Sequence, residues 1–495
     1  MPAKPDRSAA AGADQRRQLI LVQLNEICMD TVARYRGRLH LPAFEHMLDK
    51  GLVSTTAEKH YDDLEPWIQW FSVYTGQTAA EHGLFRLGDA VGHPSKQIFE
   101  HLEEHGVCIG AVAAFNAENR LHEPAYFVPD PWTHTPSDGS WWSRTVGQAI
   151  HQMVNDNAQR RATVRSLASL LAGVLRFARP RHYLRYLRLA ATSRTAPWRR
   201  ALFLDLLLHD MHMRLFARGQ ADFSTLFLNA GAHIQHHYFH NAKALPAGGP
   251  SNPPEYISAS EDPVAEMLML YDVLLGEYLG LASTPQQPGP ELIVATGLAQ
   301  QPYPRTSYYW RLRNHFDFLQ RLGLRNFVVK PRMSRDFLLE FESTQAAQQA
   351  AELLSSLRVE PGQQRLFGTV DNRGTSLFCM LTYPHPVDVG HLVTGEEFCT
   401  ALAPEVALVA LKNGMHRSEG SAFLSPGIEA LAPAPMSHVS ALHRTICSFF
   451  GVSPCKAARQ APWAVAVPGS APGAAAAVPA RSRHTLEQAT KRAPV

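Results

Sequence analysis

The chain has 495 residues, 45% of them hydrophobic and 18% charged, enough to bury a sizeable core in one large domain with insertions or in two to three smaller ones. Its 47 basic residues stand against 44 acidic ones, which excludes a globally basic, histone-like protein. Six scattered cysteines with no C-x-x-C pair exclude a disulfide framework and a zinc ribbon, and fit reduced thiols in a cytosolic protein.

Residues 1–17 are polar and lack the apolar core of a signal peptide, so a disordered tail is expected there. The apolar run Leu19–Leu24 reads as a buried parallel strand, followed by a helix near 41–51. Further buried strands are expected at Val107–Ala114, Thr225–Leu228, Glu291–Ala295 and Val406–Leu411. Helices are expected between them, at Ser95–His105 and Asp262–Leu281. This alternation predicts an α/β domain over 18–455 with a largely parallel central sheet, in which ligands bind at the carboxyl ends of strands.

Two segments break the pattern. Residues 160–218 read as a helical insertion with 13 Arg against only Asp205 and Asp210, and Arg181, Arg185 and Arg188 share one helix face. This is either the solvated face of a helical cap or a surface that meets anionic lipid; nothing indicates nucleic acid. Residues 336–384 read as a small α+β insertion: a strand at Phe337–Phe341, a helix at Gln345–Leu357, and a hairpin turning at Asp371–Gly374. Residues 456–495 hold 13 Ala and 5 Pro and are expected to be a second disordered tail. The longest apolar run, Ser166–Leu175, falls short of the roughly 20 residues that cross a bilayer. A soluble, cytoplasmic protein is therefore expected, with contact at the inner membrane face left open.

The candidate chemistry lies just after the strands. Asn25 and Glu26 follow the first strand, where an oxygen ligand or an acid/base group would face the site, although Asn25 also suits a helix cap. Glu65 precedes Pro66 at a helix start, where it can act chemically or simply complement the helix dipole. His233, His236, His237 and His240 fall at i, i+3, i+4 and i+7 after a strand end, so a single helix would carry all four on one face. Histidines so spaced bind transition metals through neutral imidazole, or form a polar face. His416 and Arg417 sit in the Gly-bounded segment Lys412–Gly420, and Thr296 follows the strand Glu291–Ala295.

In this order the segments resemble the alkaline phosphatase superfamily, closest to its type I phosphodiesterase and nucleotide pyrophosphatase-like branch. Leu41–Gly51 resembles that branch's LPN-x-x-x-L-x-x-x-G segment. Trp70–Gly76 with Glu81-His82-Gly83 resembles its S-x-x-TG…HGI element, and Tyr126–Pro131 its PDP loop. Ala232–His236 resembles D-x-x-QH, and His416–Gly420 resembles H-R-x-x-G. The resemblance implies an α/β fold, two metal ions and a Thr or Ser nucleophile acting on phosphoryl or sulfuryl groups. The departures are specific: Asn25 replaces the first-strand Asp, Glu65-Pro66 offers no hydroxyl, Ala232 replaces an Asp, and Ala295–Leu298 lacks the Asp and His of SDHG.

The resemblance therefore implies altered chemistry in a repurposed pocket. Glu65, Glu26 and His233 are candidates for catalysis. His236, His416, His237 and Asn25 are candidates to hold a divalent ion, zinc or manganese. Thr296 and Arg417 are candidates to contact substrate. The expected activity is a hydrolase or transferase acting on a phosphodiester, phosphomonoester or sulfate ester of a small molecule, glycan or lipid. A catalytically inactive, ligand-binding relative is the alternative.

Overall fold

The computed structural model describes residues 17–156, 164–282, 289–332, 335–396 and 398–455. The central sheet uses β1 (Leu19–Leu24), β2 (Leu52–Thr56), β3 (Ile109–Ala114), β4 (Tyr126–Pro129), β5 (Phe223–Leu228) and β6 (Glu291–Ala295). Two long strands, β7 (Ala299–Leu312) and β8 (Val406–Arg417), lie outside it, and β9 (Glu419–Leu424) and β10 (Ser437–His438) complete it. The sheet order is β10-β2-β9-β6-β1-β5-β3-β4. From β6 to β4 every neighbour is parallel, whereas β9 runs antiparallel to both β6 and β2. Every residue of β1, β3 and β5 is buried, as strands covered on both faces must be. The architecture is α/β with a largely parallel central sheet.

Four helices position the site: α1 (Pro66–Thr75), α2 (Arg199–Phe216), α3 (Ala230–Tyr238) and α4 (Pro263–Leu281). Pro66 and Pro263 occupy first-turn positions, where a missing N–H leaves no bond unmade. Asp262 caps α4 by accepting from the Ala265 N–H at 2.9 Å. Gly231 lets α3 start close to its neighbours, since a Cβ there would lie 2.3 Å from Ile27 Cδ1.

The Arg-rich segment is helical where it is described: Val164–Phe177, Tyr183–Thr192 and α2. A second hydrophobic core draws on residues from Leu312 to Val406, a span wider than 336–384. It packs the helix Thr344–Ser356 against an antiparallel sheet of Phe327–Pro331, Asp336–Phe341, Phe367–Asn372 and Ser376–Leu381.

One expected strand has another place. Val406–Leu411 is not a buried parallel strand; it opens β8, which among the described residues pairs only with β7, antiparallel, in a two-stranded ribbon. An apolar run satisfies either fate, but here Leu408 and Val409 face outward. The register also slips between Leu408 and Ala410 and again between Lys412 and Gly414, which bends the ribbon where it packs on α3. The tails 1–16 and 456–495 lie outside the described residues.

Candidate functional site

Glu26 is the centre of the site. It leaves β1 with φ of 62°, a left-handed conformation that costs a residue with a Cβ about 1 kcal/mol or more. Three contacts hold it there. Its N–H donates to the Thr296 carbonyl at 3.1 Å. Gln235 Nε2 donates to its carbonyl at 2.8 Å, while Gln235 Oε1 accepts from the Cys28 N–H at 3.2 Å. Gln300 Nε2 donates to Glu26 Oε2 at 2.5 Å.

His236 from α3 and His416 from β8 meet that same oxygen. Their Nε2 atoms lie 3.0 and 3.1 Å from Glu26 Oε2 and 3.3 Å from each other. Burial works to raise the Glu26 carboxyl, but the charges and hydrogen bonds of His416 and His236 hold it well below the usual carboxylate range. Burial works to lower His416; Glu26 and then Glu65 overcome it and raise the ring. The Leu64 backbone also bonds the His416 ring, an outer contact of the kind that orients a metal-binding imidazole.

Glu65 stands over the other side of His416, its Oε2 3.8 Å from Nδ1. It takes the N-cap position of α1 without a side-chain capping bond, so the carboxylate is not consumed by the helix. Desolvation pushes it up to about 7, against the pull of His416 and assisted by Glu26. A third of its side chain stays open to solvent. The ribbon flanks it with Lys412, whose Nζ lies 4.2 Å from the Tyr303 ring centroid; Arg335, from outside the ribbon, lies 4.0 Å over the ribbon's Tyr309. The Glu65 charge reaches both Lys412 and Tyr309.

The remaining predicted residues separate. Asn25 is committed to structure: its Oδ1 accepts from the Trp70 indole at 2.9 Å, and its Nδ2 donates to Asn229 Oδ1 at 2.9 Å and Glu26 Oε1 at 3.1 Å. Thr296 exchanges hydrogen bonds with the Ser421 backbone and touches the site through its carbonyl. The four histidines do not act as one face. The helix ends at Tyr238, and His240 sits in a following 3-10 turn with Nε2 2.9 Å from the Tyr303 carbonyl. His237 places Nδ1 3.1 Å from the Leu411 carbonyl. His233 meets His237 edge to face with ring centroids 4.9 Å apart; burial, then His236, pushes it down to about 4. Among the described residues it makes no hydrogen bond or ion pair to Glu26, His236 or His416. Arg417 pairs with Asp30 at 2.6 Å beside a cleft lined by Cys28, Thr31, Gln301 and Pro302.

Sequence reasoning missed Gln235, Lys412 and Arg335. Gln235 was legible only as part of the QH pair. It also missed a second cluster in the helical segment, where His182 and His209 each place Nε2 3.1 Å from an oxygen of Glu277. Arg179 and Arg181 pair with that carboxylate too, and Asp210 accepts from His182 Nδ1 at 2.7 Å. With two guanidinium groups already on Glu277, this is an ion network tying the insertion to α4. A cavity of about 330 Å³ lined by Thr75, Gln77, Ser95, Lys96 and His101 holds none of these groups.

No protein-family model and no curated protein matches the chain. Solved structures do. Phosphonoacetate hydrolase from Sinorhizobium meliloti 1021, in complex with phosphonoacetate, is 11% identical with a TM-score of 0.40, over 88% of this chain and 96% of that one. Murine ectonucleotide pyrophosphatase/phosphodiesterase 5 is 9% identical with a TM-score of 0.40, over 89% and 96%. A TAB5 alkaline phosphatase mutant with magnesium bound is 9% identical with a TM-score of 0.40, over 88% and 98%. The likeness is one of fold. At these scores the likeness is loose, and the chemistry of the site rests on the chain's own residues.

Proposed function

We propose that the chain is a metal-assisted hydrolase or transferase of phosphate-type esters, working with one divalent ion. The observation that carries this is the spacing of the Glu26, His236 and His416 ligand atoms. Bonds of about 2.0–2.1 Å in a tetrahedron put ligand atoms about 3.3 Å apart. The observed separations of 3.0, 3.1 and 3.3 Å fit one face of such a site. Two imidazoles and one carboxylate suit zinc first and manganese second, and leave a fourth position for substrate or water. When bound, the ion supplies Lewis acidity toward a phosphoryl oxygen.

The chain's own groups supply the rest. Glu65, beside His416 and partly open to solvent, is the group placed to take or give a proton at Oε2. Lys412 and Arg335 hold an anionic substrate group beside it. Gln235, Gln300 and the Thr296 carbonyl keep Glu26 in its strained conformation. The motif position for a hydroxyl nucleophile is occupied by Glu65-Pro66, so the attacking oxygen belongs to water in a hydrolase or to a substrate alcohol in a transferase. We place the activity in the cytoplasm, on a small-molecule, glycan or lipid phosphoester. Six free cysteines support that compartment, and among the described residues no helix is long and apolar enough to cross a membrane.

The absent hydroxyl also favours a second reading, an inactive protein that binds a phosphate-type ligand. The purified full chain separates the two. Elemental analysis should find one zinc or manganese per chain. An aryl phosphodiester, an aryl phosphomonoester and an aryl sulfate should reveal hydrolysis that Glu65→Gln loses while keeping the metal. A metal-free chain inactive on all three leaves the binding reading.

A further inference from the structure

The helix Tyr183–Thr192 presents its apolar residues on both sides. Tyr186 and Leu189 are buried against the body of the protein. Leu184 and Leu187, on the opposite side, are 81% and 66% exposed. With Ala191, also exposed, they stand at i, i+3 and i+7, so the outermost ridge of the helix is apolar. A surface helix ordinarily puts charge there. Exposed Tyr183 borders the ridge on one side, and exposed Arg188 and Arg185 on the other. The helix just before it, Val164–Phe177, adds Leu171 and Leu175 at i and i+4, the latter 78% exposed. Single exposed leucines mean nothing; four of the chain's large exposed apolar side chains within 17 residues need a reason.

Charge indicates the occupant. Residues 160–218 carry 13 Arg and only two acids, Asp205 and Asp210. Both acids are buried and are spent on internal bonds, Asp205 to Tyr271 and the Ala230 N–H, Asp210 to His182 and Tyr186. Among the described residues, the outer surface of this segment is therefore cationic around an apolar ridge, with exposed Arg181, Arg185, Arg188, Arg194 and Arg200 and Tyr183 at its margin. That is the layout of a helix lying flat in a lipid headgroup region, with leucines in the acyl boundary and arginines on phosphates. Ten residues span about 15 Å, too short to cross a bilayer and suited to rest on one.

We propose that the helix Tyr183–Thr192 docks the protein onto anionic membrane surfaces, Leu184 and Leu187 inserting and Arg185 and Arg188 binding lipid phosphates. This goes beyond the proposed ester chemistry and does not depend on it. The Glu277 network makes the platform rigid, since Arg179 and His182, just before the helix, are tied to α4.

The test is sedimentation of the full chain with vesicles of phosphatidylcholine alone or with about 30% phosphatidylserine, at salt from about 50 to about 200 mM. Binding is expected only to the anionic vesicles, weakening as salt rises. Leu184→Ser with Leu187→Ser, and separately Arg185→Gln with Arg188→Gln, should each reduce it at least about tenfold. All four side chains are exposed, so circular dichroism and bound metal should match the parent. The proposal is overturned if the parent ignores anionic vesicles, or if both pairs bind as the parent does. It is equally overturned if the leucine pair instead abolishes self-association seen by sedimentation velocity, which assigns the ridge to a second copy of the chain.

Discussion

Gly414→Ala tests how the site is assembled. Gly414 pairs with Pro302 in the ribbon, two residues before His416, where β8 passes over α3. A Cβ placed there would meet Gln300 Oε1 at 1.9 Å and the Gln235 carbonyl oxygen at 2.7 Å. The Gln300 amide can swing away, but only by giving up its bond to Glu26. The Gln235 carbonyl belongs to α3 and cannot swing. Ordinary contact begins near 3.4 Å, so the ribbon must lift by roughly 0.7 Å, and His416 lifts with it. Overpacking of this kind costs about 1–3 kcal/mol, and a ligand moved by most of an ångström should weaken metal binding by about 10–100-fold, as loss of an orienting contact does. Zinc affinity is read by competition with a chromogenic chelator, and stability by urea denaturation of the metal-free chain. Gly280→Ala is the control: nothing lies within 4 Å of its Cβ position, and a helical Gly→Ala exchange stabilises by about 0.5–1 kcal/mol. If Gly414→Ala binds zinc as tightly as the parent and unfolds at the same urea concentration, close approach of the ribbon does not position His416.

Glu26→Gln removes the carboxylate between two imidazoles and should weaken zinc by about 100-fold or more, as breaking a buried charge pair does; equilibrium dialysis reads it. Glu277→Gln leaves Arg179, Arg181, His182 and His209 around a neutral amide and should destabilise the fold by about 3–5 kcal/mol in urea, with metal content unchanged. Trp70→Phe strands Asn25 Oδ1 without its donor and should cost about 1–3 kcal/mol in the same assay. Asp205 gives a pH signature. Burial raises it from 3.8 to about 6, against the bond from Tyr271, so the folded state holds a proton that the unfolded state has lost. Its contribution is intact below pH 4 and declines as pH rises from about 4 to about 6, by about 3 kcal/mol in all. Asp205→Asn should flatten that decline in urea midpoints measured across the range.

Strands β1 and β6 were legible to the residue because both faces of a parallel sheet are covered, and continuous apolar runs have few other uses. Val406–Leu411 has the same composition but a different fate, which only its partner β7 decides. The candidate ligands His236 and His416 were legible from motif order. Glu26 stayed open between an oxygen ligand and an acid or base, because nothing local shows that two distant imidazoles converge on its Oε2. The histidine face assumed that one helix runs through His240; the helix ends at Tyr238 and sends His240 toward the ribbon. The network around Glu277 was invisible, because its members come from separate helices whose packing no local period encodes.

The three proposed ligand atoms come from an early, a middle and a late part of the chain, which bears on how the protein is made. A polypeptide growing from its amino end has Glu26 long before it has His236, and completes β8 with His416 only near the end of the described fold. Contacts so far apart in sequence form late. Until then the pair Glu26 and His236 offers two ligands and no closed geometry, a poor trap for any cation. Under the proposed one-metal reading, loading is thereby deferred to the finished protein, and the ion bound is set by the pool it meets after synthesis and not by whatever is present at the ribosome.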